Sequence, residues 1–192
     1  MYCTHHSTHP HLPTDKAGDL PDIDADFVRR YARRYWASIT PAEAAAERRM
    51  ESAIVPARQA GELNKDLFTT IARWKSPRPL KRYLANTEQS VRSATRAAFA
   101  AETDAEAIDA LRALNGVALR TATALLHWMR PHEFPILDFR VVAALGIPEP
   151  SSWEDTRFYS RVADDLRRIS RQLGIDLRTL DRALWAWHKT AG

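Results

Sequence analysis

Residues 111–145, LRALNGVALRTATALLHWMRPHEFPILDFRVVAAL, decide how this chain reads. An apolar helix ends at Leu114. The tight turn Asn115-Gly116-Val117-Ala118 opens a second helix, Leu119 to Arg130. Pro135-Ile136-Leu137-Asp138 then leads into a third, Phe139 to Leu145, closed by Gly146. Gly116 permits positive φ and close approach of the backbone. The first N–H groups of the second helix are unpaired and carry the positive end of its dipole, so they suit a phosphate. Asp138 falls at the N-cap of the third helix. A carboxylate there is ordered by helix amides and kept ionised at neutral pH.

The same helical grammar runs outward in both directions. Asp26 starts a helix with Val28, Tyr31, Ala32 and Tyr35 on one side. Thr40-Pro41-Ala42-Glu43 and Thr103-Asp104-Ala105-Glu106 are capping boxes. Asn64 caps a helix carrying Leu67, Ile71 and Trp74, and Pro77 and Pro79 break the chain after it. Asn86 or Thr87 starts the next. Phe158, Val162, Leu166, Ile169 and Leu173 form an apolar stripe ending at Gly174. Asp176 caps a last helix with Leu177, Leu180, Leu184 and Trp187. No segment alternates as a strand does, so the expected fold class is all-α.

Composition narrows the class further. The chain has 192 residues, 45% hydrophobic and 27% charged, with a formal net charge of +4. No apolar run is long enough to span a membrane. A single cysteine, Cys3, rules out an internal disulfide, a four-cysteine iron–sulfur cluster or a cysteine zinc site. No secretory signal is visible, and a cytoplasmic location is expected. Residues 1–24, with His5, His6, His9, His11 and three prolines, read as a disordered tail. Arg73 to Arg96 holds seven bases and one acid, whereas Ala97 to Leu111 holds four acids and no base. Segregated charge can form a basic face for phosphates, or simply a solvated helix surface.

With these residues in view, the segment resembles the helix-hairpin-helix DNA glycosylase superfamily, in an uncharacterised bacterial branch. Leu114, Gly116, Val117, Thr121, Ala122, Pro135, Ile136, Leu137 and Asp138 carry the resemblance, which covers residues 105–146, or 42 of 192. It implies two helical lobes with a catalytic cleft between them. One is 25–100 with the C-terminal helices 154–190, the other the hairpin lobe 101–150, together a single domain over 25–192. It implies that Asp138 is catalytic, stabilising positive charge on deoxyribose while a flipped base departs. Bifunctional members carry a lysine where this chain has Arg120, and a guanidinium cannot form a Schiff base. The expectation is therefore a monofunctional enzyme that leaves an abasic site, needs no metal or organic cofactor, and acts on DNA as a monomer. Ala118 departs from the second hairpin glycine of the family.

The candidate DNA contacts are Gly116, Val117, Ala118, Arg120, Thr121, Lys75, Arg78 and Arg140. Arg120 and Arg140 can hold phosphate or pair with Glu133 or another acid. Lys75 and Arg78 lie on the proline-broken connection, as phosphate or pocket residues or as plain surface. Lys75 is also the reserve nucleophile should strand cleavage occur. Trp128, Trp74 and His127 are base-pocket candidates, each with a structural alternative in the core. Damaged bases are one target class. Modified cytosines of phage DNA are another, suggested by a chain that is short and lacks cluster cysteines. A non-catalytic helix-hairpin-helix DNA-binding or adaptor protein is the competing reading, in which Asp138 only caps a helix.

Overall fold

The computed structural model describes residues 20–191. Cys3 and the tail histidines at 5, 6, 9 and 11 lie outside the described residues. These form ten helices and no strand. They are α1 (Ala25–Ser38), α2 (Pro41–Ala60), α3 (Lys65–Lys75), α4 (Leu80–Leu84), α5 (Glu88–Ala100), α6 (Asp104–Arg112), α7 (Leu119–Met129), α8 (Phe139–Ala144), α9 (Thr156–Leu173) and α10 (Leu177–Ala191). The all-α expectation holds. No helix among the described residues is long and apolar enough to cross a membrane.

The caps form as local chemistry dictates. Thr40 with Glu43 and Thr103 with Glu106 make both reciprocal capping boxes. Asn64 accepts from the Leu67 N–H at 2.8 Å, and Thr87 from the Ser90 N–H at 3.0 Å. Gly174 ends α9 in the left-handed region, as the stripe before it requires. The start of α1 differs from expectation. Asp24 is its cap, taking the Phe27 N–H at 2.7 Å, and Asp26 pairs with Arg29 inside the first turn. The single turn α4 was hidden behind two prolines. It exists because Tyr83 is completely buried, its hydroxyl 3.4 Å from Thr121 Oγ1.

Helix α7 is the axis of the core. Leu119 and every residue from Thr121 to Met129 are buried, so it has no solvent stripe and packs against α2, α3, α5 and α6. Helix α10 packs on α1 and α8. This arrangement sets the C-terminus of α3, the N-terminus of α8 and the polar face of α10 around one cavity.

Candidate functional site

Asp138 is presented by a short extended segment that three buried side chains hold from behind. His127 Nδ1–H donates to the Phe134 carbonyl at 2.8 Å, since a carbonyl only accepts. The Tyr159 hydroxyl donates to the Pro135 carbonyl at 3.0 Å, and the Leu137 N–H donates to Thr123 Oγ1 at 3.1 Å. Backbone polar groups that could not reach water are thus satisfied, which fixes the path of the segment. Asp138 then caps α8: its Oδ1 accepts the Arg140 N–H at 3.0 Å. Its Oδ2 accepts from Lys75 Nζ at 2.8 Å. Burial pushes the Asp138 carboxyl up, but the Lys75 ammonium and the Arg140 amide outweigh it and hold its pKa below the ordinary value.

Asp138 and Lys75 line a cavity of about 440 Å³, a size usual for small-molecule sites. Trp74, Trp185 and Tyr35 give it aromatic surface, and Arg140, Arg178, Asp181 and Glu47 give it charge. The Arg140 guanidinium lies 4.4 Å from the Phe139 ring and 5.1 Å from that of Trp185. At the cavity wall, Glu47 is 1% exposed and binds three partners. Arg178 and Arg182 each reach it at 2.8 Å, the Tyr35 hydroxyl donates to it, and Arg182 also holds Glu51 at 3.0 Å. Burial pushes the Glu47 carboxyl up, and Arg178, Tyr35 and Arg182 together bring it below its usual value. Burial raises the Tyr35 phenol above its usual value. Among the described residues, no group of three or more His, Cys, Asp and Glu is arranged to hold a metal ion.

Of the residues singled out in the sequence, the structure brings Trp74, Lys75, Asp138 and Arg140 to this one cavity. Trp128 and His127 lie behind it in the core. Trp128 is 4% exposed and meets Trp74 edge-on, with ring centroids 5.9 Å apart. Burial takes the His127 pKa down to about 3, helped by Arg178, so the ring stays neutral and serves the Phe134 carbonyl. Arg78 and Arg120 are exposed; Arg120 lies 5.7 Å from the Trp153 ring and does not pair with Glu133, which Arg130 holds.

The turn before α7 has the conformation its glycine promised and a surrounding that the sequence did not reveal. Gly116 has φ 83°, and Val117 and Thr121 are buried. Asn86 clamps the turn, accepting the Asn115 N–H at 2.8 Å and donating to the Asn115 carbonyl at 3.1 Å. Ala118 caps α7 without a side-chain hydrogen bond. The Leu119 N–H, one of the amides expected to meet phosphate, donates to Glu154 at 3.0 Å, and Arg112 stands 3.4 Å from the same oxygen.

The residues missed by the sequence reading are Tyr35, Glu47, Arg178, Asp181, Arg182 and Trp185. A signal existed on α10. Arg178, Asp181, Arg182 and Trp185 recur at i, i+3, i+4 and i+7, a polar stripe beside the apolar one.

Residues 52–192 match the family described as "Family of unknown function (DUF6308)", and the chain belongs to it. No curated protein and no solved structure matches the chain.

Proposed function

We propose that this protein is a monofunctional DNA glycosylase, which flips a damaged or modified base out of DNA and hydrolyses its N-glycosidic bond. The observation that carries this reading is Asp138: an ionised, helix-capping carboxylate held at the wall of an aromatic-flanked cavity. Breaking the bond leaves positive charge on the deoxyribose. A carboxylate fixed in a largely buried position stabilises that charge with little reorganisation, and it can orient the attacking water. Trp74 and Trp185 offer faces for the extruded base. Arg140, and Arg78 and Arg120 farther out, supply positive charge for the backbone. In this reading the cavity belongs to a cleft between two lobes, the turn at 115–118 grips the strand as a helix-hairpin-helix does, and a cytoplasmic monomer acts on damaged or phage-modified DNA.

Lys75 favours a second reading. Its Nζ touches Asp138 at the cavity wall. Once Asp138 takes its proton, the Lys75 amine could displace the base at C1′, the base leaving with the bonding pair; the sugar ring then opens to an imine, and β-elimination expels the 3′-phosphate and cuts the strand.

One experiment separates these readings. DNAs containing uracil, 8-oxoguanine, alkylated purines, or hydroxymethylcytosine with and without glucose are incubated with wild type and Asp138→Asn. Products are resolved before and after alkali. Strand breaks only after alkali, absent in the variant, are the expected result. Breaks without alkali, with a borohydride-trapped adduct lost in Lys75→Gln, replace it with the Lys75 mechanism. Equal DNA binding with no release from any substrate points instead to a non-catalytic DNA-binding protein.

A further inference from the structure

The cavity holds a buried carboxyl group on α10 that Asp138 chemistry leaves unused. Asp181 sits on α10, one turn after Arg178, and is 7% exposed. It lines the same cavity as Asp138, Lys75, Trp74 and Trp185. Its Oδ2 accepts from Arg178.

Cleavage of an N-glycosidic bond asks for two opposite things at two ends. The sugar gains positive charge and is served by an anion. The base takes the bonding electron pair and is served by a proton. A pair of titratable groups whose surroundings drive their proton affinities apart meets both demands.

We propose that Asp181 is the proton donor to the departing base, which makes the cavity specific for bases that must be protonated to leave. This inference rests on the glycosylase reading. In the step, the C1′–N bond breaks and its electron pair passes to the base. The Asp181 carboxyl proton goes to a ring nitrogen or exocyclic oxygen of that base. Water adds to C1′ and gives its proton to Asp138 or to solvent. Asp181 then regains a proton from solvent, so that base–sugar plus water becomes free base plus abasic sugar.

The surroundings divide the two carboxyls accordingly. Burial raises the Asp181 pKa. Arg178 on its own helix and Lys75 of α3 lower it, and Asp138 and Glu47 raise it again. Tyr35 of α1, Glu43 of α2, Arg140 of α8 and Lys189 of α10 are the other charged or titratable groups that line the cavity. Asp138, bonded directly to Lys75, goes the other way. Asp138 thus has the Lys75 ammonium in direct contact, whereas Asp181 shares the Arg178 guanidinium with Glu47, and burial beside these other carboxyls raises its affinity for a proton.

The test is the rate of base release against pH, from 4 to 9, on whichever panel DNA the wild type cleaves. Wild type, Asp181→Asn, Asp181→Glu and Asp138→Asn are compared, with melting curves as folding controls. The wild-type rate is expected to fall tenfold per pH unit on an alkaline limb. Asp181→Asn should be at least 100-fold slower at the acid plateau and lack that limb, so the two profiles converge as pH rises. Asp181→Glu should restore a limb at a shifted pH. A uniform loss in Asp181→Asn with the limb retained, or no loss, overturns the proposal and leaves the glycosylase standing. A wild-type profile with no alkaline limb overturns it without any variant. No release by wild type from any DNA overturns the glycosylase reading and this inference with it.

Discussion

Lys75 Nζ and Asp138 Oδ2 lie 2.8 Å apart across 63 residues of sequence. Lys75 is the last residue of α3, where the helix dipole favours a cation, and Asp138 caps the start of α8, where it favours an anion. Each charge is thus placed by its own helix before the two meet. The side chains are 11% and 18% exposed, so water screens the contact only partly.

A double-mutant cycle of Asp138→Asn and Lys75→Met should show this coupling in denaturant unfolding. Asparagine keeps the cap, so the cost reports the ion pair, about 1–2 kcal/mol at pH 7. The Asp138 pKa is lower in the folded chain than in the unfolded one. Its contribution is therefore present above the ordinary carboxylate range and is lost as pH falls through the folded value. Strictly additive single-variant effects at pH 7 would show that the contact contributes nothing.

Glu154 occupies the first amide of α7 with a negative charge. If that helix end meets a DNA phosphate, the carboxylate competes with it. Glu154→Gln should then tighten binding to a plain duplex by roughly two- to fivefold at fixed salt, the range expected for one charge at a helix end. Fluorescence anisotropy over a salt series measures it. Unchanged or weaker binding would place the phosphates elsewhere.

Gly116 has positive φ, and a Cβ there would lie 2.8 Å from the Arg82 Cβ and 3.1 Å from the Tyr83 ring. Gly116→Ala should therefore cost about 1–3 kcal/mol of stability through strain and overpacking. The loss should be visible as a lower melting temperature in the absence of DNA. A variant as stable as wild type would mean that α4 gives way freely.

His127 makes stability sensitive to mild acid. Its pKa falls from the usual 6.5 to about 3 on folding, so between those values the unfolded chain binds the extra proton. Stability should decline as pH drops below about 6.5, by up to about 1.4 kcal/mol per pH unit. The Nδ2 of asparagine can replace Nδ1 toward the Phe134 carbonyl, so His127→Asn should flatten the slope between pH 6.5 and 5. Denaturation midpoints of the two proteins over that window decide it; parallel slopes would assign the acid sensitivity to other groups.

Much of the architecture was legible because it is local. Thr40 with Glu43, Thr103 with Glu106, Asn64, and the stripe ending at Gly174 each satisfy backbone groups within one turn, so their sequence positions suffice to find them. Asp24 displaced Asp26 as the first cap by two residues, because either acid can cap and the buried Phe27 and Val28 set the register. Helix α4 escaped notice because its reason is Tyr83, whose partner Thr121 is 38 residues away.

The candidate site divides along the same line. Sequence alone determined an all-helical chain, the glycine turn before α7, and Asp138 as a helix-capping carboxylate, since caps and turns are decided by neighbours along the backbone. Tertiary structure alone decided that Lys75 bonds to Asp138, that Trp74 lines the cavity while Trp128 backs it, that His127 props the Asp138 segment, that Glu154 sits on the Leu119 amide, and that Asp181 joins Asp138 at one cavity. Those relations depend on which helix ends meet when the apolar faces pack, and the burial that results is what sets each group's proton affinity.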